Sequence, residues 1–309
     1  MKSNAVSNPV LSGIFRKSIL DSAGFAAATL APRFSVGEQA ANYYVSGAAN
    51  VLNVPTLKPR APGAAFQRST FSLSDDTYNC RNYGHESPVP REVRAKYGNA
   101  FDADKEAIER NASIILLNWE IRVQKLATSA AVTSATPTAK WDDYANTASD
   151  PVADVACAKE LVRGRCGIKP NTMVLGEGVF QKLRLHPAIR KFFYGNTDGV
   201  ITLEMLKAIF EVAELKVASA MINTAAEGQD LSPADIWGDD VVLAVNTPNG
   251  GGLTNPGAFR TFAWEANGIP SVSTYYDDAT ASDIHQTQHS TDEKITAPEM
   301  ATRIADVLL

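Results

Sequence analysis

The chain has 309 residues, 45% of them hydrophobic and 20% charged, and a formal net charge of -5. That is enough apolar material for one large core or two smaller ones, while the acidic balance supplies no basic field to neutralise phosphates, which excludes a dedicated nucleic-acid binder. The three cysteines, Cys80, Cys157 and Cys166, form no Cys-x-x-Cys pair, so the spacing encodes neither a disulfide framework nor a zinc knuckle and fits a reducing cytoplasm.

Near the N-terminus, Arg16 and Lys17 precede an apolar patch from Gly24 to Ala31, but Asp21 and Ser22 interrupt it and it is too short to cross a bilayer, so neither a signal peptide nor a membrane helix is expected. Residues 1 to about 48, rich in Ala, Ser, Asn and Gly without periodic hydrophobicity, read as an arm that needs a partner to order it. Three prolines between Val51 and Pro62 favour extended backbone. From Phe66 to Val89 the pattern suits two strands turning at Asp75-Asp76, with few large aliphatics, so a projecting hairpin is expected.

The clearest helix spans Asp102 to Ala127. There Ile108, Ala112, Ile115, Trp119, Val123 and Leu126 recur at steps of three and four, along roughly 39 Å of rod. Asp102 and Asp104 sit where the helix dipole favours negative charge, Arg122 and Lys125 toward the other end. Residues 129–149 read as a loop with an exposed Trp141. Asp150-Pro151 opens a second helix to about Arg165, stopped by Gly167 and Pro170. A strand over Asn171 to Leu175, helices over Glu177 to Leu183, from His186-Pro187 to near Gly195 and over Thr202 to Val212, and strands over Val217 to Ile222 and Val241 to Val245 make a compact α+β block of about 100 residues. After Gly250 to Gly252, Phe259 to Trp264 and Val272 to Tyr276 alternate as two strands, and Ile304, Val307 and Leu308 offer a last apolar patch.

Candidate chemistry is sparse. Of the histidines at 85, 186, 285 and 289, only His285 and His289 have the i, i+4 spacing of a metal pair, but Gln-Thr-Gln lies between them without the glutamate of a zinc protease helix, so a solvated loop or helix surface is expected. The pairs Asp75-Asp76, Asp142-Asp143, Asp239-Asp240 and Asp277-Asp278 suit turns and solubility better than acid–base work. Asn249 to Gly252 lacks the Lys and helix of a phosphate loop, no Gly-x-Ser-x-Gly elbow occurs, and the cysteines lack a His and Asn context. Asn111-Ala112-Ser113 is a chance sequon inside the long helix. Phe192-Phe193-Tyr194 suits core or subunit contact more than base stacking.

The order arm, hairpin, lone long helix, α+β block and late strands resembles the major capsid proteins of tailed bacteriophages. The residues carrying the resemblance are Asn82-Tyr83-Gly84-His85-Glu86-Ser87-Pro88-Val89, Trp119-Glu120-Ile121-Arg122-Val123, Asn171-Thr172-Met173-Val174-Leu175-Gly176, Ile236-Trp237-Gly238-Asp239-Asp240-Val241-Val242, and the stretches Phe262 to Glu265 and Val272 to Asp277. It covers roughly residues 50 to 309. It implies an α+β capsid fold: an N-terminal arm (1–48), an extended hairpin loop (49–98), a peripheral domain with a spine helix (99–149 and 253–309) and an axial domain (150–252).

The resemblance also implies a structural protein and not an enzyme, with no catalytic, cofactor or metal residues. Copies would assemble through pentamers and hexamers into an icosahedral virion shell around the phage genome, after synthesis in the bacterial host's cytoplasm. Its partners would be itself, a separate scaffold, portal or cement protein, and packaged DNA by weak non-specific contact, with no membrane. The subunit-contact residues it nominates are Phe71, Leu73, Tyr78, Tyr83, His85 and Glu86 on the hairpin, Glu120 and Arg122 on the spine, and Arg190, Phe192, Phe193 and Tyr194 on the axial block. The arm is too short for a fused scaffold. No lysine lies between Phe66 and Pro90, with Lys58 and Lys96 only flanking, so no isopeptide cross-link is expected. The alternatives are an encapsulin-like nanocompartment shell and a cytoplasmic hydrolase using Asp239-Asp240 or His285 and His289.

Overall fold

The computed structural model describes residues 6–7, 24–45, scattered positions between 52 and 70, 73–97, 102–194, 199–247, 257–266 and 271–309. In chain order these form β1 (Val6–Ser7), α1 (Ala27–Leu30), β2 (Arg33–Val36), β3 (Ala40–Val45), β4 (Ser74–Asn79), β5 (Arg81–Pro90), α2 (Arg91–Tyr97) and α3 (Ala103–Ala127). There follow β6 (Thr133–Ala135), α4 (Pro151–Cys166), β7 (Thr172–Gly176), α5 (Glu177–Leu185), α6 (Pro187–Tyr194), α7 (Leu203–Ile209), β8 (Glu214–Ala218), β9 (Met221–Asn223) and β10 (Pro233–Asp235). The chain closes with β11 (Val241–Ala244), β12 (Phe259–Trp264), β13 (Ser271–Asp277), β14 (Ser282–Ile295) and β15 (Ala301–Ile304).

Helix α3 forms where its stripe and caps place it. The Asp102 carboxylate accepts from Lys105 N at 3.2 Å, satisfying one of the orphan donors of the first turn. Ile108, Ala112, Ile115, Trp119 and Val123 are buried along one side. Helix α4 likewise has Asp150 accepting from Val152 N and Ala153 N, Pro151 in the first turn, and Gly167 at φ 75°, a left-handed stop that a side chain would strain.

Among the described residues two larger sheets divide the molecule, beside the two-stranded antiparallel pairs β3–β4 and β9–β10. The five-stranded sheet, in the block expected to be axial, runs β6-β15-β11-β7-β8, with β11 antiparallel to β7 and β15, and β8 parallel to β7. Its core holds Met173, Leu175, Leu183, Ile189, Phe210, Val241, Leu243 and Ile304. The six-stranded sheet, in the part expected to be peripheral, runs β1-β13-β14-β12-β2, with β5 also paired to β14. Between them a second core joins α3 to both, through Leu116, Trp119, Val123, Val174, Trp237, Val242 and Phe259.

Five expectations need correction. Residues 24–45 are not a free arm. Ala26, Ala27, Leu30 and Ala31 are fully buried in the core beside Trp119, and β2 runs parallel with β12. Small side chains gave no apolar period, yet they let α1 approach α3 closely.

Residues 66–89 are not a self-paired hairpin. Only Cys80 separates β4 from β5, which leaves no room for a turn, so the chain runs straight on. Asp75 and Asp76 lie opposite Tyr44 and Tyr43 in the β3–β4 pair, and β5 pairs with β14 over its whole length.

His285 and His289 do not sit in a solvated loop. They belong to β14, a 14-residue strand inside the peripheral sheet, and both are buried. The run Ser-Asp-Ile-His-Gln-Thr-Gln-His-Ser-Thr is too polar for a sequence pattern to mark as interior. Asn111 makes it tolerable by donating to His285 O at 3.0 Å and accepting from Ser87 Oγ at 2.5 Å.

Trp141 is fully buried, its indole N–H donating to the Asp154 carboxylate at 2.9 Å. The chain end and residues 133–135 join the axial sheet, not the peripheral one: β15 pairs with β11 and β6, and Val307 and Leu308 pack in the axial core.

Candidate subunit interface

Two of the nominated contact residues are structural instead. Tyr78 is buried with its ring stacked on Phe262, centroids 4.6 Å apart. Glu120 is fully buried: its carboxylate accepts from Ala26 N and Ala27 N, each at 2.8 Å, and from Trp237 Nε1. Burial pushes its pKa above the usual carboxylate range, against the pull of those three donors. It caps α1 from a distance and fixes that helix on the spine. An acid in the middle of an amphipathic stripe was the available signal.

Three more are engaged mainly within the subunit. The Arg122 guanidinium lies 3.9 Å from the Tyr83 ring centroid and pairs with both carboxylate oxygens of Glu293, at 2.9 and 3.0 Å. Tyr83 also meets His289 edge-on. His85 Nδ1 lies 2.9 Å from Asn111 Oδ1. Nearby, Arg94 bridges Asp104 and Asp283 at 2.5 Å each, tying α2, α3 and β14 together.

The remaining nominees are at the surface, save two. Glu86 is exposed and accepts from Tyr275 OH at 3.2 Å. Leu73 is half exposed just before β4, and Phe193 is exposed on α6. Phe192 on α6 is 66% exposed. Phe71 lies outside the described residues, as does Lys58, and the Tyr194 side chain is likewise undescribed. Arg190 lines a cleft of about 600 Å³ with Gln181, Lys182, Arg184, Leu185, Val200 and Ile201.

The sequence reading missed two surfaces. The segment between β3 and β4 carries Leu52, Val54, Leu57 and Phe66, with Val54 82% and Phe66 76% exposed. Single apolar residues among prolines carry no period that could mark them. The β9–β10 hairpin exposes Met221 and, at 74%, Leu231. Exposed aliphatics on elements this slender are groups that a second molecule can cover.

Among the described residues no group of three or more His, Cys, Asp or Glu is placed to hold a metal, and no helix is long and apolar enough to cross a membrane. His289 is buried with neither ring nitrogen hydrogen-bonded to the protein. Its pKa is pushed down to about 3 by burial and by Arg33 and Arg122, which keeps the ring neutral.

The family model for phage major capsid protein E matches residues 125–282. A major capsid protein of Burkholderia phage BcepMu is 31% identical over 163 residues, 52% of this chain and 52% of that protein, so the match spans about half the length of that relative. Over nearly the whole fold, a phage-related protein from Bordetella bronchiseptica RB50 superposes with a TM-score of 0.75 at 26% identity, covering 99% of each chain. A virus-like particle from Pyrococcus furiosus superposes at 0.58, covering 96% of this chain and 97% of its own, at 9% identity, a likeness of fold alone. The spine helix, the two sheets joined by it, and the family match over the axial block place this chain in the phage major capsid protein E family, with the α+β fold of phage capsid proteins.

Proposed function

We propose that the chain is the building block of a phage capsid, closing into pentamers and hexamers through its axial block and then into an icosahedral shell around the genome. The observation that carries this reading is the exposed apolar series Leu52, Val54, Leu57 and Phe66, which falls between two strands, β3 and β4, that pair with each other. Laid on a neighbouring subunit, those side chains leave water; at about 25 cal/mol per Å² of apolar surface buried, several such residues supply a useful share of a subunit contact. Contacts of this head-to-tail kind close into rings. With a net charge of -5, the shell wall would grip packaged DNA only weakly. Scaffold, portal and cement proteins are partners of the same proposal, as is synthesis in the host cytoplasm.

The test is the variant Val54→Asp/Leu57→Asp/Phe66→Asp. It should melt as wild type does yet give no closed particles by electron microscopy. Particles at wild-type yield would remove the segment from the assembly mechanism.

A further inference from the structure

The β9–β10 hairpin and the α5–α6 cleft are complementary surfaces of one chain. Residues 221–235, which make the hairpin, hold three acidic side chains (Glu227, Asp230 and Asp235) and no basic one. At the hairpin's end Glu227, Asp230 and Leu231 are all exposed, and the turn holds itself together, Thr224 N donating to Ser232 O at 2.9 Å and Ser232 N to Asn223 Oδ1 at 3.0 Å. It is an acidic finger that turns at Glu227-Gly228 and exposes Leu231 beside its closing pair.

The cleft has the opposite character. From the start of α5 to the end of α6, residues 177–194 hold Lys182, Arg184, Arg190 and Lys191 against one acid, Glu177, which accepts from Gln181 Nε2 at 2.5 Å. Its described lining has no carboxylate, and its floor is apolar: Leu185, Val200 and Ile201. Arg184 is held in place by donating to Ile201 O at 3.1 Å and to Gln181 Oε1 at 3.3 Å, while Lys182 and Lys191 are exposed. An apolar centre inside a charged rim is the usual anatomy of a protein contact.

We infer that the acidic β9–β10 hairpin of one subunit seats in the basic α5–α6 cleft of a second copy of the chain. Leu231 enters against Leu185 and Val200, and Glu227 and Asp230 face Lys182 and Lys191. Finger and cleft are different patches, so each copy offers one and receives one, which makes the contact heterologous and able to close a ring. Charge sets the register and rejects the cleft-to-cleft encounter. The inference rests on the shell-forming role proposed above and names the contact that builds the ring.

The experiment uses full-length protein carrying Lys182→Glu/Lys191→Glu, Glu227→Lys/Asp230→Lys, or all four, with assembled fraction measured by sedimentation and folding checked by melting. Each reversed pair should lower the assembled fraction by about tenfold or more, since like charges then meet. The fourfold variant, with the charges exchanged, should recover to within about threefold of wild type. Should a reversal lower the melting point, the neutral pairs Lys182→Gln/Lys191→Gln and Glu227→Gln/Asp230→Gln replace it, with a several-fold loss expected. A reversed pair that assembles like wild type, or a fourfold variant that fails to recover, overturns the contact and leaves the shell role standing. A wild-type chain that never assembles overturns the role and the contact with it.

Discussion

Glu120 accepts the indole N–H of Trp237 across 117 positions of sequence, inside the core where the spine helix meets the connection into the axial sheet. The same carboxylate takes the first free N–H groups of α1. One side chain therefore holds the N-terminal segment, the spine and the axial block in a single arrangement.

Removing it should be costly. Glu120→Ala leaves three buried donors unpaired, each worth roughly 1–3 kcal/mol, so the unfolding free energy should drop by about 3 kcal/mol or more. Glu120→Gln keeps the shape but turns an amide toward a donor, and should cost about 1–2 kcal/mol. Urea unfolding monitored by tryptophan fluorescence checks both.

His289 gives a pH dependence of known sign. Its unfolded pKa is near 6.5, and in the fold it is pushed down to about 3. Between those values the unfolded chain binds a proton that the native state refuses. Its contribution is thus fully present above about pH 6.5 and declines as pH falls toward 3, by up to about 1.4 kcal/mol per unit. His289→Leu should be neutral or stabilising at pH 7, because neither ring nitrogen has a protein partner. It should also shrink the drop in melting temperature between pH 7 and pH 5. An unchanged drop would remove His289 from the acid response.

Gly176 joins β7 to α5 with ordinary φ, so its constraint is space. A Cβ there would collide with Trp237 O and lie 2.7 Å from Gly238 O, both backbone atoms. Gly176→Ala should destabilise by about 1–3 kcal/mol, visible as a lower urea midpoint with unchanged slope. Gly238→Ala, where a Cβ meets nothing within 4 Å, is the control and should stay within about 0.5 kcal/mol of wild type.

Local chemistry explains which parts of this fold are readable. Helices α3 and α4 announce themselves because their caps, Asp102 and Asp150, and their stop, Gly167, act within a few residues. The strands Thr172–Gly176 and Val241–Ala244 are buried along their whole length and read as short apolar runs. By contrast β14 is interior yet made of Thr, Gln, Ser and His, and its place depends on partners far away: β5, β13 and Asn111. Ala26 and Ala27 are buried for their smallness, which no hydrophobic period registers. The exposure of Phe192 and Phe193 was not written in the aromatic run itself, and Tyr78 and Glu120 were misplaced because exposure is set by tertiary neighbours such as Phe262 and Trp237.

Phe192 on α6 separates folding from assembly. Its side chain is two-thirds exposed, so Phe192→Ser should change stability by no more than about 0.5 kcal/mol. If α6 faces a neighbour, the same change should raise the protein concentration needed for assembly several-fold, measured by light scattering.

The central claim, that this chain builds a shell from copies of itself, is met most directly by electron microscopy of the purified full-length protein beside size-exclusion chromatography, over a range of concentration and salt. The expected result is closed particles or five- and six-membered rings, eluting far ahead of a single subunit. A lone 33.1 kDa species under every condition, with empty grids, would contradict it.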